Sequence, residues 1–145
     1  MFLRRRSDKV DVLKKVPLLS HLSQRHLNRI ATLGSERTRD AGKILAQQGT
    51  PGLEFFLLLE GRARVECDGK VLARLSPGDC FGEMSLLDYQ LRSATVIAET
   101  PVVLLVIHTR SFHRLLDEVP GLQKKLLVTL SERLREADAA VASVN

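Results

Sequence analysis

The chain has no tryptophan, one tyrosine and five phenylalanines. With so few rings, the interior must be built from aliphatic side chains, chiefly Leu and Val. Cysteine is almost as scarce, with Cys67 and Cys80 alone. They form no Cys-x-x-Cys unit or metal-ligand pair, which excludes a disulfide-stapled scaffold and a cysteine zinc site. Both lie in strand-like stretches and are expected to be small buried hydrophobes in a protein of the reducing cytoplasm. No apolar run approaches the roughly 18 residues that a membrane span needs, so no transmembrane segment is expected. Phe2 and Leu3 precede Arg4, Arg5 and Arg6, and Ser7, Asp8 and Lys9 follow, so the start lacks the apolar core of a secretory signal.

Catalytic signatures are missing too. His21, His26, His108 and His113 are the four histidines. They make no His-x-His pair with a downstream Glu, the ligand set of a metal-binding cupin. No nucleophile-elbow sequence occurs. Neither an enzyme nor a metal site is expected.

What is present is a core-forming chain of 145 residues that is 44% hydrophobic and carries a net charge of +5. This is the size of one domain. Residues 1–9 read as a basic solvated tail, with only weak attraction to anionic partners. Residues 10–34 read as helices. Ser23 is placed to cap one, and Leu27, Ile30, Ala31 and Gly34 recur at helical spacing. Residues 35–107 are punctuated by Gly42, Gly49, Gly52, Gly61, Gly69, Gly78 and Gly82. Short apolar runs lie between them at 44–46, 55–59, 63–67 and 71–75, and two more follow at 94–98 and 102–107. Asp68-Gly69 has the residue types of a tight hairpin turn. Many short strands joined by glycine turns imply a sandwich, jelly roll or barrel, and the gaps are too short for parallel crossovers.

Helical spacing returns after Ile107. Thr109 is placed to cap a helix through Phe112, Leu115 and Leu116, and Pro120 interrupts it. A longer amphipathic helix is expected over 121–142. Its stripe runs through Leu127, Leu130, Leu134, Ala137 and Val141, widened by Leu122 and Leu126. Such a face can cover its own barrel or make a seam with a second copy.

The segment with chemical content runs from Phe81 to Val96. A short apolar turn beginning after Gly82 would present free N–H groups, a natural site for an anion. Gly82 lets backbone approach a ligand closely. Arg92 can fork onto two phosphate oxygens, and Ser93 adds a donor beside it. Glu83 would repel phosphate, so its useful task is to accept from a sugar hydroxyl. Together these residues suit a sugar phosphate. A plainer reading has Arg92 simply paired with Glu83 or Asp88.

This stretch resembles the phosphate-binding cassette of the cyclic-nucleotide-binding domain family, found in bacterial catabolite regulators, regulatory subunits of cyclic-AMP-dependent kinase and gated channels. The residues that carry the resemblance are Phe81, Gly82, Glu83, Met84, Ser85 and Leu86, then Arg92, Ser93, Ala94, Thr95 and Val96. Ala41-Gly42-Lys43-Ile44, Gln48-Gly49, Phe55 to Gly61 and Leu75 to Asp79 resemble the family's barrel landmarks. The resemblance implies a mainly β fold with flanking helices. It is a β-barrel of the double-stranded β-helix or jelly-roll type over 35–107, with N-terminal helices and a C-terminal lid helix within 109–142. The implied function is a non-enzymatic sensor of cyclic AMP or cyclic GMP, with no other cofactor. The implied ligand contacts are Gly82, Met84, Ser85, Arg92, Ser93 and Ala94 around the phosphate and Glu83 on the ribose.

Two departures stand out. Tyr89, Gln90 and Leu91 occupy places where many relatives have small residues and proline. Ala137 and Asp138 occupy places where catabolite regulators have Thr-Ser, so the choice between adenine and guanine stays open. Only 143–145 follow the long helix, which leaves no room for a recognition helix, and direct DNA binding is not expected of this chain. A regulator acting through a partner or a separate DNA-binding domain remains an alternative. So does the regulatory domain of a channel, transporter or enzyme. The expected macromolecular partner is a second copy through 121–142 or an effector protein.

Overall fold

A computed structural model describes the backbone of residues 6–16, 19–82 and 91–144, and most side chains between 9 and 132 within those ranges. Helices α1 (Arg6–Leu13) and α2 (Gln24–Leu33) come first. Eight strands follow: β1 (Ser35–Arg39), β2 (Ile44–Ala46), β3 (Glu54–Glu60), β4 (Ala63–Cys67), β5 (Lys70–Leu75), β6 (Cys80–Phe81), β7 (Thr95–Ala98) and β8 (Val102–His108). Helices α3 (Thr109–Glu118) and α4 (Leu122–Val144) close the described chain.

The strands pair antiparallel in two four-stranded sheets, ordered β1-β8-β3-β6 and β2-β7-β4-β5. That order is a jelly roll. It is the double-stranded β-helix architecture expected, and among the described residues no ladder joins the two sheets into a single cylinder.

Strand periodicity explains the layering. Phe55, Leu57 and Leu59 on β3, with Leu105 and Ile107 on β8, face one cluster. There they meet Val10, Leu13, Leu27, Ile30, Phe112, Leu115, Leu122 and Leu126 from the helices. Phe56 and Leu58, with Val102, Leu104 and Val106, face a second cluster containing Ala46, Ala63, Phe81, Val96 and Ala98. The β1-β8-β3-β6 sheet is therefore covered on both sides. That is why β3 and β8 are nearly unbroken apolar runs rather than alternating ones. The other sheet has one face in water. The β5 edge leaves Leu72 64% exposed.

Local chemistry sets several boundaries. The Ser23 hydroxyl accepts from the His26 N–H at 3.3 Å, as a helix cap should. Asp68 and Gly69 both have positive φ, 52° and 82°, which gives the tight hairpin between β4 and β5. At the start of α3 the cap is His108, whose Nδ1 accepts from the Arg110 N–H at 3.2 Å. Thr109, expected to be the cap, instead donates its hydroxyl to the Leu53 carbonyl at 2.6 Å. It is tied to the loop before β3 and is not free to serve the helix.

Three other expectations change. β1, with sequence Ser-Glu-Arg-Thr-Arg, is a strand with no apolar signal. Cys80 is buried but Cys67 is only half-buried, near the turn. On α4 the helical face turned inward is Leu122 and Leu126, both 2% exposed, while Leu127 is 62% exposed. Leu130 is partly buried against the same cluster. The side chains of Leu134, Ala137 and Val141 lie outside the described residues.

Candidate functional site

Arg92 enters the site from a backbone held on both sides. Its N–H donates to the Thr50 carbonyl at 2.9 Å, and its carbonyl accepts from the Gly49 N–H at 2.9 Å. Leu91, one residue earlier, bridges Pro51. The loop between β2 and β3 thus clamps the chain just before β7, and it fixes where the arginine side chain begins.

The side chain runs inward and is the one buried charged residue among those described, 9% exposed. Nη2 donates to the Glu54 carbonyl at 3.0 Å. The guanidinium carbon lies 5.4 Å from the Phe56 ring centroid, a cation–π contact. Phe56 in turn stacks on Phe81, with centroids 4.7 Å apart. Burial pushes the Arg92 guanidinium below its ordinary range, and the nearby Glu54 charge pulls it partly back. It stays protonated, because an arginine pKa starts far above neutral.

Gly82 sits directly against this group with φ +89°. A Cβ there would lie 2.8 Å from the Glu54 carbonyl oxygen. Glycine is needed twice over, for the left-handed backbone and for the space. A second arginine shares the neighbourhood. Arg37, on β1, grips the Glu54 carboxylate with Nη1 and Nη2, at 3.2 and 2.8 Å. Its carbon lies 6.0 Å from the centroid of the same Phe56 ring.

Of the residues expected at the site, Gly82 and Arg92 are therefore together. Ser93 is exposed and Ala94 half-buried, next along the chain toward β7. Glu83, Met84 and Ser85 lie outside the described residues, as do Asp88, Tyr89 and Gln90 and the side chains of Ala137 and Asp138. Arg37, Glu54 and Phe56 were not anticipated. They lie 55, 38 and 36 positions before Arg92 in the sequence, and only strand pairing brings them to it. Their one local hint is an acidic residue opening an apolar strand. Among the described residues no cluster of His, Cys, Asp or Glu is arranged to hold a metal ion.

Chemically, this is a buried cation whose described hydrogen bond goes to one backbone carbonyl. Arginine has five donors in a planar fork, and the described contacts use one of them. The remainder suits an oxyanion of two or more oxygens.

Known proteins share both this sequence pattern and this fold. The cAMP-dependent protein kinase regulatory subunit of Schizosaccharomyces pombe is 36% identical over 114 residues, covering 78% of this chain and 28% of that protein. The cGMP-dependent protein kinase isozyme 1 of Drosophila melanogaster is 36% identical over 131 residues, covering 85% of this chain and 17% of that protein. The solved regulatory domain of Toxoplasma gondii PKA, crystallised with cAMP, superposes with a TM-score of 0.79 at 27% identity, covering 88% of this chain and 50% of that one. The chain thus spans less than a third of either curated relative. The model of the cyclic nucleotide-binding domain matches residues 36–119, from β1 to the end of α3, and the chain belongs to that family.

Proposed function

We propose that the chain is a non-enzymatic sensor that binds cyclic AMP or cyclic GMP, with Arg92 as the anchor for the cyclic phosphate. The observation that carries this reading is the buried Arg92 guanidinium against Gly82, positioned from one side by the Glu54 carbonyl at 3.0 Å. A cyclic phosphate keeps one negative charge at neutral pH. Taking that charge out of water is costly unless donors and an opposing charge replace the lost hydration. Arg92 supplies both. In this reading the N–H groups that follow Gly82, at Glu83, Met84 and Ser85, and the Ser93 hydroxyl complete the phosphate shell, while Glu83 accepts from the ribose. Calorimetric titration with both nucleotides tests it. Binding of neither one overturns it. Ser93 favours cyclic AMP binding at least as tightly as cyclic GMP, and a tenfold preference for cyclic GMP would reverse that part.

The chain spans a small share of the curated relatives it matches, 28% and 17% of the two kinase proteins. This supports a second element of the reading: the domain controls an effector, in the same polypeptide or bound to it, and has no activity of its own. The thiols of Cys67 and Cys80 fit a reducing cytoplasm as its place of work. Exposed Leu127 and Val128 on α4 are the residues through which the 121–142 helix would meet a second copy or that effector. Sedimentation of the parent and of Leu127→Asp separates the two, since only a self-associating helix gives a dimer that the aspartate abolishes.

A further inference from the structure

The site holds two guanidinium groups and one carboxylate around a single ring. Arg92 and Arg37 lie 5.4 and 6.0 Å from the Phe56 centroid. Glu54 serves both of them. Its carboxylate takes the Arg37 fork, and its carbonyl takes Arg92 Nη2. Its charge also acts on Arg92 directly. We infer that Glu54 is a specificity-determining residue: by neutralising Arg37, it keeps the phosphate end of the pocket matched to a singly charged phosphodiester and set against a doubly charged phosphomonoester. This inference rests on the phosphate assignment of Arg92 proposed above.

The argument is one of local charge. Arg37 and Glu54 are only part-buried, with side chains 30% and 33% exposed, but they hold each other in a bidentate geometry that fixes both. The pair contributes almost no net charge at the ring. Removing the carboxylate's charge raises the local charge by one unit, whatever else lines the site. Both guanidinium carbons lie within 6.0 Å of the Phe56 centroid, closer than the roughly 8 Å Debye length of physiological salt, so water and ions screen the change at the ring incompletely. An added positive charge attracts a dianion about twice as strongly as a monoanion. A cyclic nucleotide and its ring-opened 5′-monophosphate share the base, the ribose and one phosphorus. Ring opening frees the 3′-hydroxyl and adds one negative charge, because the second ionisation of a phosphomonoester is near pH 6. A carboxylate that cancels Arg37 therefore favours the cyclic ligand over its own hydrolysis product. A sensor needs that distinction if its signal is to end when the ring is opened.

Glu54→Gln tests this with little disturbance. The backbone carbonyl that holds Arg92 is retained, and the amide oxygen can still accept from Arg37. At pH 8 the dissociation constants of cyclic AMP and 5′-AMP are measured for the parent, for Glu54→Gln and for the double variant Arg37→Gln/Glu54→Gln. In Glu54→Gln the preference for cyclic AMP over 5′-AMP is expected to shrink roughly three- to tenfold at low salt, with 5′-AMP gaining more than cyclic AMP. The double variant restores the original net charge and with it most of the preference. A purely structural role predicts that both ligands weaken in parallel and that the second substitution rescues nothing, an outcome that overturns the inference. An unchanged ratio in a Glu54→Gln protein that still binds cyclic AMP also overturns it, and leaves the Arg92 assignment standing. A parent protein that binds no cyclic nucleotide removes both.

Discussion

A Cβ placed on Gly82 would sit 2.8 Å from Nη1 of Arg92. Gly82 and Arg92, ten positions apart in the sequence, are in direct contact. The space for the guanidinium is thus made by a missing side chain.

Gly82→Ala should accordingly disturb both fold and site. The methyl would meet the Glu54 carbonyl oxygen at 2.8 Å, and that atom belongs to β3 backbone and cannot swing aside. The φ of +89° adds strain for any L side chain. Together these cost about 1–3 kcal/mol of stability. Thermal unfolding of the empty protein should show the loss. Titration should show weaker nucleotide binding, because Arg92 is the flexible partner and moves. A melting temperature within a degree of the parent would contradict the close packing.

Glycine contact, strand pairing and site lie on different levels of legibility. The cassette from Phe81 to Val96 could be read because its residue types sit at fixed local spacing. The strands from β2 to β8 could be read from short apolar runs, except the two-residue β6, whereas β1 could not. β1 is an edge strand in which Glu36, Arg37 and Thr38 are only half-buried, so it needs no apolar alternation. The same fact hid Arg37 as a site neighbour. Glu54 was hidden for another reason: its contacts with Arg37 and Arg92 span 17 and 38 residues, and no local pattern encodes them. On α4 the expected stripe ran through Leu127, with Leu122 and Leu126 only widening it. Only the position of Phe112 and Leu115 on α3 decides that Leu126, and not Leu127, turns inward.

That choice of face makes a second prediction. Leu126→Ala opens a cavity between α4, α3 and the sheet, and should cost about 2–5 kcal/mol in denaturant unfolding. Leu127→Ala, at a position 62% exposed, should change stability within about 0.5 kcal/mol. Equal losses would put the wrong face of α4 against the sheet.

A third prediction concerns acid. Arg29 on α2 holds Glu118 at the end of α3 with two nitrogens, at 3.1 and 3.4 Å. The hydrogen bond from Arg29 outweighs the opposing effect of burial and, with lesser help from the Arg29 and Arg114 charges, holds the Glu118 carboxyl below its usual range. A group depressed in the folded state stabilises above its unfolded pKa, and that contribution disappears as pH falls through the folded value. Parent and Glu118→Gln should therefore differ in melting temperature at pH 7 and converge below the ordinary carboxylate range. The pair is exposed, so the gap at pH 7 should be small and should narrow further in high salt. A gap that widens on acidification would contradict the pairing.

The decisive measurement is isothermal titration of cyclic AMP into the parent protein and Arg92→Ala, with melting temperatures of each taken with and without ligand. Stranding a buried phosphate without its opposing charge should weaken binding by about 2–5 kcal/mol, roughly a thirtyfold to several-thousandfold rise in Kd. Arg92→Lys restores the charge without the fork and should recover only part of this. The empty Arg92→Ala protein loses one hydrogen bond to the Glu54 carbonyl, about 1 kcal/mol, so its melting temperature falls slightly while its ligand-induced rise vanishes. A protein in which Arg92→Ala binds cyclic AMP within threefold of the parent, or melts far lower when empty and yet keeps its ligand-induced rise, would show that Arg92 braces the loop and does not hold the phosphate.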